Sequence, residues 1–330
     1  MARALVTGAA GFIGSHLCEQ LLEGGHSVLG VDDLSGGSMR NMPELAAKYG
    51  KRFLFNNMPI DDILWLISGA KLDWVFHLAA KADIVPSIQH PLPYFETNVA
   101  VTTRLIDACK SIGLKKFVYA ASSSCYGIPD DFPTDERAQI RCEYPYALTK
   151  QLGEQAVLHW GKVYKIPVTS LRLFNVYGPR SRTSGAYGAV FGVFLAQIAK
   201  GYPVTIVGDG EQSRDFTYVT DVCRAFELAA ESDATGIFNI GSGGTYKVKD
   251  IARYLGAFTT EYIPKRPGEP GITFADISKA SEILGYKPSV SIEDGCSIMR
   301  DKIKDYETAP LWTPKSIEKE TADWFKYLGG

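Results

Sequence analysis

The segment Ala4-Leu-Val-Thr-Gly8-Ala-Ala-Gly11-Phe-Ile-Gly14 limits the folds open to this chain more than any other stretch. A short apolar run suited to a buried strand meets a turn with glycine at every third residue, and a helical pattern follows at once. The first glycine permits a tight turn, the second lets a backbone come close to an anion, and the third lets the helix close on the strand. The opening N–H groups of such a helix have no intrahelical acceptor and point at any anion placed there, a pyrophosphate for example. The spacing G-x-x-G-x-x-G differs by one residue from the general dinucleotide fingerprint, so an ordinary glycine-rich turn stays open on local grounds. Its place at the very first β-turn-α favours the dinucleotide reading.

The rest of the first half repeats the theme. Apolar, β-branched runs at Ala4–Thr7, Ser27–Val31, Arg52–Phe55, Trp74–His77, Phe117–Ala121 and Pro167–Leu173 read as strands. Helical patterns at Phe12–Leu22 and Pro145–Val163 lie between them. Strands alternating with helices predict a Rossmann-like, doubly wound parallel α/β sheet. After about Asn175 glycine and proline become denser, and Tyr177–Gly188 and Pro264–Gly271 read as loops with specific tasks. A dinucleotide-binding domain over 1–175 and a smaller mixed α/β substrate lobe over 176–330 are expected, with a soft boundary across which segments can interleave.

Composition excludes other classes. A net charge of −2 supplies no basic surface for nucleic acid. No apolar run approaches the ~18 residues of a membrane span, and Met1-Ala2-Arg3 leads straight into a strand without a signal-peptide pattern. The six cysteines show no C-x-x-C pairing, which suits reduced thiols in a cytoplasmic protein. No metal site is expected, because His16, His26, His90 and His159 have no ligand-like grouping.

Asp32 closes the second strand. A carboxylate there can accept both hydroxyls of an adenosine ribose and repels a 2′-phosphate, which favours NAD over NADP. A solvated strand-end Asp beside Asp33 is the bland alternative, and Arg40 leaves NADP open. Tyr146 and Lys150 share one face of the long helix at i, i+4. A phenol acting as base near neutrality needs its pKa lowered by about three units, or about 4 kcal/mol, and an ammonium one turn away could contribute to that. Such a pair also arises by chance in helices. Ser122 strengthens it, because it ends a predicted parallel strand, where active sites of open α/β sheets lie.

Together these segments resemble the extended short-chain dehydrogenase/reductase family, in its nucleotide-sugar 4-epimerase and 4,6-dehydratase group. The likeness runs through TGAAGFIG at 7–14, DDLSGG at 32–37, HLAAKADIVPS at 77–87, ASSSCYG at 121–127, YALTK at 146–150 and RLFNVYGPR at 172–180. It continues through GDGEQSRDFTYVTDV at 208–222, NIGSG at 239–243 and RPGEP at 266–270. The resemblance implies that Gly8, Gly11, Phe12, Ile13 and Gly14 hold the cofactor pyrophosphate and Asp32 its adenosine ribose. It places Ala79, Ala80 and Lys150 at the nicotinamide ribose, and makes Ser122, Tyr146 and Lys150 the catalytic set. Asn175, Arg214 and Arg266 would meet the substrate diphosphate, Glu269 its ribose, and Ser87, Ser123 and Ser124 the sugar. Asn98 and His77 read as structural. The family also implies a homodimer through helices around Phe95–Lys110 and Pro145–Val163.

The reaction shared by that group begins with oxidation at sugar C4. Its dehydratases carry an acid after the catalytic hydroxyl residue, where this chain has Ser123 and Ser124. A serine hydroxyl is a poor base at neutral pH without an activator. The expected activity is therefore an NAD-dependent nucleotide-sugar 4-epimerase. The alternative is a 4,6-dehydratase with an atypical acid/base set, drawing on Asp135, Glu136 or Lys81. A decarboxylase, a C2/C5 epimerase and a non-catalytic dinucleotide sensor are weaker readings, the last because the Tyr/Lys pair is present.

Overall fold

The architecture, taken from a computed structural model, is described for residues 1–181 and 189–329. Seven parallel strands form the central sheet: β1 (Arg3–Thr7), β2 (Ser27–Asp32), β3 (Phe53–Asn57), β4 (Trp74–His77), β5 (Lys116–Ser122), β6 (Val168–Leu173) and β7 (Gly236–Ile240). Their spatial order is β7-β6-β5-β4-β1-β2-β3. The chain thus winds outward from β1 on one side and from β4 on the other. The crevice outside the carboxyl ends of β1 and β4 is the topological switch point, where ligands of such sheets bind.

Burial on both faces explains the uninterrupted apolar strands. Successive residues turn to opposite cores, Val6, Phe76 and Val118 to one and Leu5, Val75 and Phe117 to the other. The helices that position the site are α1 (Phe12–Glu23), α2 (Ile84–Gln89), α3 (Pro145–Tyr164), α4 (Val190–Ala199), α5 (Val219–Glu231), α6 (Pro314–Glu320) and α7 (Ala322–Leu328). Helix α5 packs beside α1, with Phe226 edge-on to Phe76 at 6.2 Å. On the other face α3 comes unusually near the sheet through Gly153, where a Cβ would stand 2.6 Å from Asn98 O and collide with the Tyr119 hydroxyl.

The expected strands and the long helix lie within a residue or two of the observed ones. The sheet also has a strand that the sequence reading lacked. β7 pairs with β6 in parallel, so residues 219–240 return to the sheet from beyond the expected boundary near residue 175. What remains of the second half includes small two-stranded pairings, among them Val204–Val207 with Thr260–Ile263, of which Thr205 and Val207 line the crevice. Residues 182–188, most of the expected specificity loop Tyr177–Gly188, lie outside the described residues.

A buried polar network fixes α3 against the sheet. Glu154 Oε1 pairs with Arg172 Nη2 at 2.6 Å, the side chains 2% and 3% exposed, and Glu154 Oε2 accepts from Ser170 Oγ at 2.8 Å. Arg172 Nη1 donates to the Tyr126 hydroxyl at 2.8 Å, which donates to Asn239 Oδ1 at 2.7 Å. Every charge is therefore matched, as burial requires.

Candidate active site

A cleft of about 2080 Å³ runs along the carboxyl ends of the strands. That is about twice the upper end for a single small-molecule pocket, and it leaves room for two nucleotide-sized molecules.

At one end lies the glycine turn. Gly8 has φ +71°, a region costly to residues with a Cβ, and a Cβ there would stand 2.8 Å from Ala79 N. A Cβ on Gly14 would run into Gly8 O, so only glycine lets α1 seat against the turn. Gly11 caps α1 in extended conformation without a side-chain bond, and the first turn has no acidic residue. The first-turn N–H groups thus meet the cleft in the company of Gly8, Gly11, Phe12, Ile13 and Gly14, all on its wall. A glycine cradle with open amide donors fits a dinucleotide pyrophosphate.

Asp32 lines the same end and is 7% exposed. Its Oδ2 accepts from Ala10 N at 3.0 Å and its Oδ1 from Leu34 N at 2.8 Å. Burial pushes its proton affinity up, and those backbone N–H groups oppose the rise. A carboxylate has about four lone-pair positions, so acceptor capacity remains for ribose hydroxyls. Arg40 also lies on this wall, exposed. Ala79 and Ala80 border the cleft just after β4, and Ala79 N donates to Thr7 Oγ1 at 3.3 Å.

Ser122 and Tyr146 face the middle of the cleft. Ser122 ends β5 and caps the short turn Ser123–Tyr126, accepting from Ser124 N at 3.2 Å, while the Ser122 and Ser124 hydroxyls lie 2.8 Å apart. Ser123 and Ser124 are also on the wall. Tyr146 stands in the first turn of α3, which Pro145 opens. Burial raises the phenol above its ordinary value, the Ser122 hydroxyl opposes that rise, and the Asp83 charge adds to it. Lys150 is buried with its ammonium 4.3 Å from the centre of the Tyr119 ring, and burial pushes it down to about 7. The expected lowering of the phenol is therefore not delivered by the polypeptide: loss of water around a phenolate outweighs the polar neighbours the chain provides.

At the far end Asn175 follows β6, its Oδ1 accepting from Thr273 Oγ1 at 2.9 Å. Arg214 Nη2 donates to Glu269 Oε1 at 2.9 Å, and Arg266 Nη1 lies 3.9 Å from Glu269 Oε2. All five residues line the cleft. One carboxylate between two guanidiniums leaves a net positive, multi-donor surface suited to phosphate oxygens.

Some expected residues lie elsewhere. Ser87 is fully buried, donates to Ile84 O at 2.6 Å and accepts from Tyr146 N at 3.2 Å. It anchors the start of α3 and is not part of the cleft wall, because both its hydrogen-bonding directions are taken by backbone. Glu136 Oε1 accepts from Asn239 N at 2.8 Å and Asp135 is clamped by Arg137, so neither carboxylate reaches the cleft. Lys81 does line it. Asn98 bonds Lys81 backbone and Thr149, and His77 lies between Thr7 and Thr102 hydroxyls, burial holding it near 3; both serve the scaffold.

The sequence reading missed Tyr144 and Asp83 on the wall. Tyr144 stacks on Tyr146 with rings 6.3 Å apart and 7° from parallel, and its hydroxyl reaches Ser124 near the Arg214–Glu269 pair. The segment Glu143-Tyr-Pro-Tyr146 was the available signal, since an aromatic residue preceding a proline-opened helix stays extended and can face the same cleft.

The NAD dependent epimerase/dehydratase family model matches residues 4–241. A UDP-glucose 4-epimerase from Mycolicibacterium smegmatis is 36% identical over 89% of this chain and 96% of its own length. A UDP-N-acetyl-alpha-D-glucosaminuronate decarboxylase from Bacillus cytotoxicus is 32% identical over 89% of this chain and 95% of its own. The crystal structure of UDP-glucuronic acid 4-epimerase from Bacillus cereus, with UDP-glucuronic acid and NAD, superposes with a TM-score of 0.84. That neighbour is 37% identical, over 92% of this chain and 99% of the neighbour.

Proposed function

The chain belongs to the NAD-dependent epimerase/dehydratase family, and on that premise we propose that it inverts C4 of a hexose carried on UDP, with NAD as its resident cofactor. The observation that carries this reading is the meeting of Ser122 and Tyr146 at the switch-point crevice, with hydroxyls and no carboxylate at positions 123 and 124. The sugar nucleotide is taken from solved and curated relatives that act on UDP-sugars.

The glycine turn, the first turn of α1 and Asp32 would hold the dinucleotide, with Ala79 and Ala80 giving its nicotinamide end a close apolar border. Bound NAD supplies a two-electron acceptor for C4 and a positive ring charge that offsets the cost of a buried phenolate. Tyr146 takes the proton of the C4 hydroxyl and returns it after the ring has presented its other face. Ser122 hydrogen-bonds the same oxygen and keeps it in line with the phenol. Arg214, Arg266 and Asn175 grip the diphosphate, leaving the sugar the only part free to turn. With NAD as the hydride acceptor and donor, water removal, orientation and a single proton shuttle are all that epimerisation would ask of the polypeptide. Dehydration would need a second acid–base pair; Asp135 and Glu136 are committed elsewhere, and of the groups named for that route Lys81 alone borders the cleft.

The same proposal includes a homodimer and a cytoplasmic location. Leu92, Phe95, Leu148 and Val163 expose apolar surface on the helices expected to pair. The six cysteines are free thiols, the form a reducing compartment maintains. Among the described residues no helix is long and apolar enough to cross a membrane.

The test is incubation with UDP-glucose, UDP-galactose, UDP-glucuronic acid and their N-acetylated counterparts, read by mass spectrometry and sugar NMR. Unchanged mass with inverted C4 is expected. Loss of water or of carbon dioxide would replace the epimerase with a dehydratase or a decarboxylase. Tyr146→Phe should retain NAD and lose turnover by about 10²–10⁴-fold; near-normal turnover would remove the phenol from the mechanism.

A further inference from the structure

The C-terminal helix α7 folds back onto the cleft, and it carries Trp324, a buried indole that lines the cleft wall. The indole N–H donates to Pro267 O at 2.7 Å, which fastens the loop bearing Arg266 and Glu269. The Arg266 guanidinium carbon lies 5.4 Å from the indole centroid, within cation–π range. The indole also meets the Tyr144 ring at 6.2 Å, and Tyr144 stacks in turn on Tyr146. A continuous chain of rings therefore runs from the guanidinium at the diphosphate end to the phenol at the sugar end.

This helix is held in place by bonds of its own. The capping box of Thr313 and Ser316 starts α6, and the buried Thr321 hydroxyl donates to Ile317 O at 2.8 Å where α6 passes into α7. Gln197 of α4 donates to Trp312 O at 2.7 Å, and Gln89 of α2 donates to Asp323 Oδ2 at 3.0 Å. The segment is thus anchored to both banks of the cleft before Trp324 enters it.

We infer that Trp324 is a positioning residue for nucleotide-sugar binding, its indole joining Arg266 and the Tyr144–Tyr146 pair into one preformed wall. The inference rests on the nucleotide-sugar reading above. Without the indole, Pro267 O loses its donor and Arg266 keeps Glu269 but loses its aromatic face, so part of the ordering of this loop shifts to the incoming diphosphate and that cost falls on binding. Tyr146 remains fixed by α3 and by Ser87, so the proton transfer itself changes little.

The experiment compares Trp324→Leu and Trp324→Phe in the full chain. Leucine fills much of the volume without a π face or an N–H; phenylalanine keeps the π face alone. Trp324→Leu should raise KM for the UDP-sugar, and the Kd for UDP by calorimetry, by about tenfold, with kcat within about threefold. Trp324→Phe should recover most of the lost affinity. NAD affinity and the melting temperature serve as controls for folding. Wild-type KM and UDP affinity in a folded Trp324→Leu protein would overturn the inference, as would a fall confined to kcat. Should the wild-type chain turn over no UDP-sugar, the functional reading fails by itself, and UDP calorimetry still decides the role of Trp324.

Discussion

Replacing Lys150 by methionine should make this protein more stable at neutral and lower pH. The ammonium sits in the core, 4% exposed and over the Tyr119 ring. Burial brings it from the ordinary 10.5 down to about 7. At about 1.4 kcal/mol per tenfold change in proton affinity, that gap sets a ceiling near 5 kcal/mol on the cost of keeping the charge inside. Side-chain relaxation and water entry bring the expected figure to about 2–5 kcal/mol. The sign follows from proton counting. Below about pH 7 the lysine is charged in both states, and the folded protein bears the full cost. Between 7 and 10.5 the native lysine has released its proton while the unfolded one holds it, so stability rises with pH by about 1.4 kcal/mol per unit. Above 10.5 the cost has vanished. Methionine has no such dependence and fills a similar volume. Tyr119 and Tyr146 are pushed upward and stay neutral through the window. His77, held near 3 by burial and by Lys150, is neutral in both folded proteins, so its contribution cancels in the difference. Urea unfolding of both proteins at about pH 6 and about pH 9 is the assay. The methionine variant should lead at the lower pH, with the gap closing by about 2–3 kcal/mol at the higher. An equal difference at both pH values, or a less stable variant at pH 6, would refute the buried charge.

Two further outcomes follow from named contacts. Glu154→Ala strands Arg172 in the core beside Tyr126, so it should cost about 3–5 kcal/mol in denaturant unfolding; a loss below about 1 kcal/mol would show the pair to be dispensable. Asp32→Ala should weaken NAD binding by about 10–100-fold in fluorescence titration and NADP by much less, as expected of a carboxylate hydrogen-bonded to one ribose. Equal losses for both cofactors would exclude that role.

The sequence was most informative where a property is carried by neighbours along the chain. Glycine at 8, 11 and 14 fixes a turn and a helix seat through bonds and clashes within a few residues. The strand pattern of Ala4–Thr7 or Phe117–Ala121 marks double-sided burial directly, because successive side chains face opposite cores. Tyr146 and Lys150 share a helix face by geometry alone, but their surroundings were not readable. The lysine turns to Tyr119, and the phenol is governed by desolvation and by Ser122 and Asp83. β7 was missed because Gly236–Ile240 gains its place by pairing with β6, more than sixty residues earlier in the chain.

What the sequence determined by itself, then, was a glycine-opened βα unit within a parallel α/β sheet, the chemistry of a hydroxyl–phenol–ammonium set, and the absence of acids at 123 and 124. Tertiary structure alone decided which polar groups those residues meet. It turned Ser87 and Glu136 inward to backbone N–H groups, set Glu269 between two arginines, and brought Trp324 to Pro267 and Tyr144. The physical reason is that turn and helix preferences act over a few residues, whereas desolvation and hydrogen-bond partnership depend on segments that only the packed core brings together.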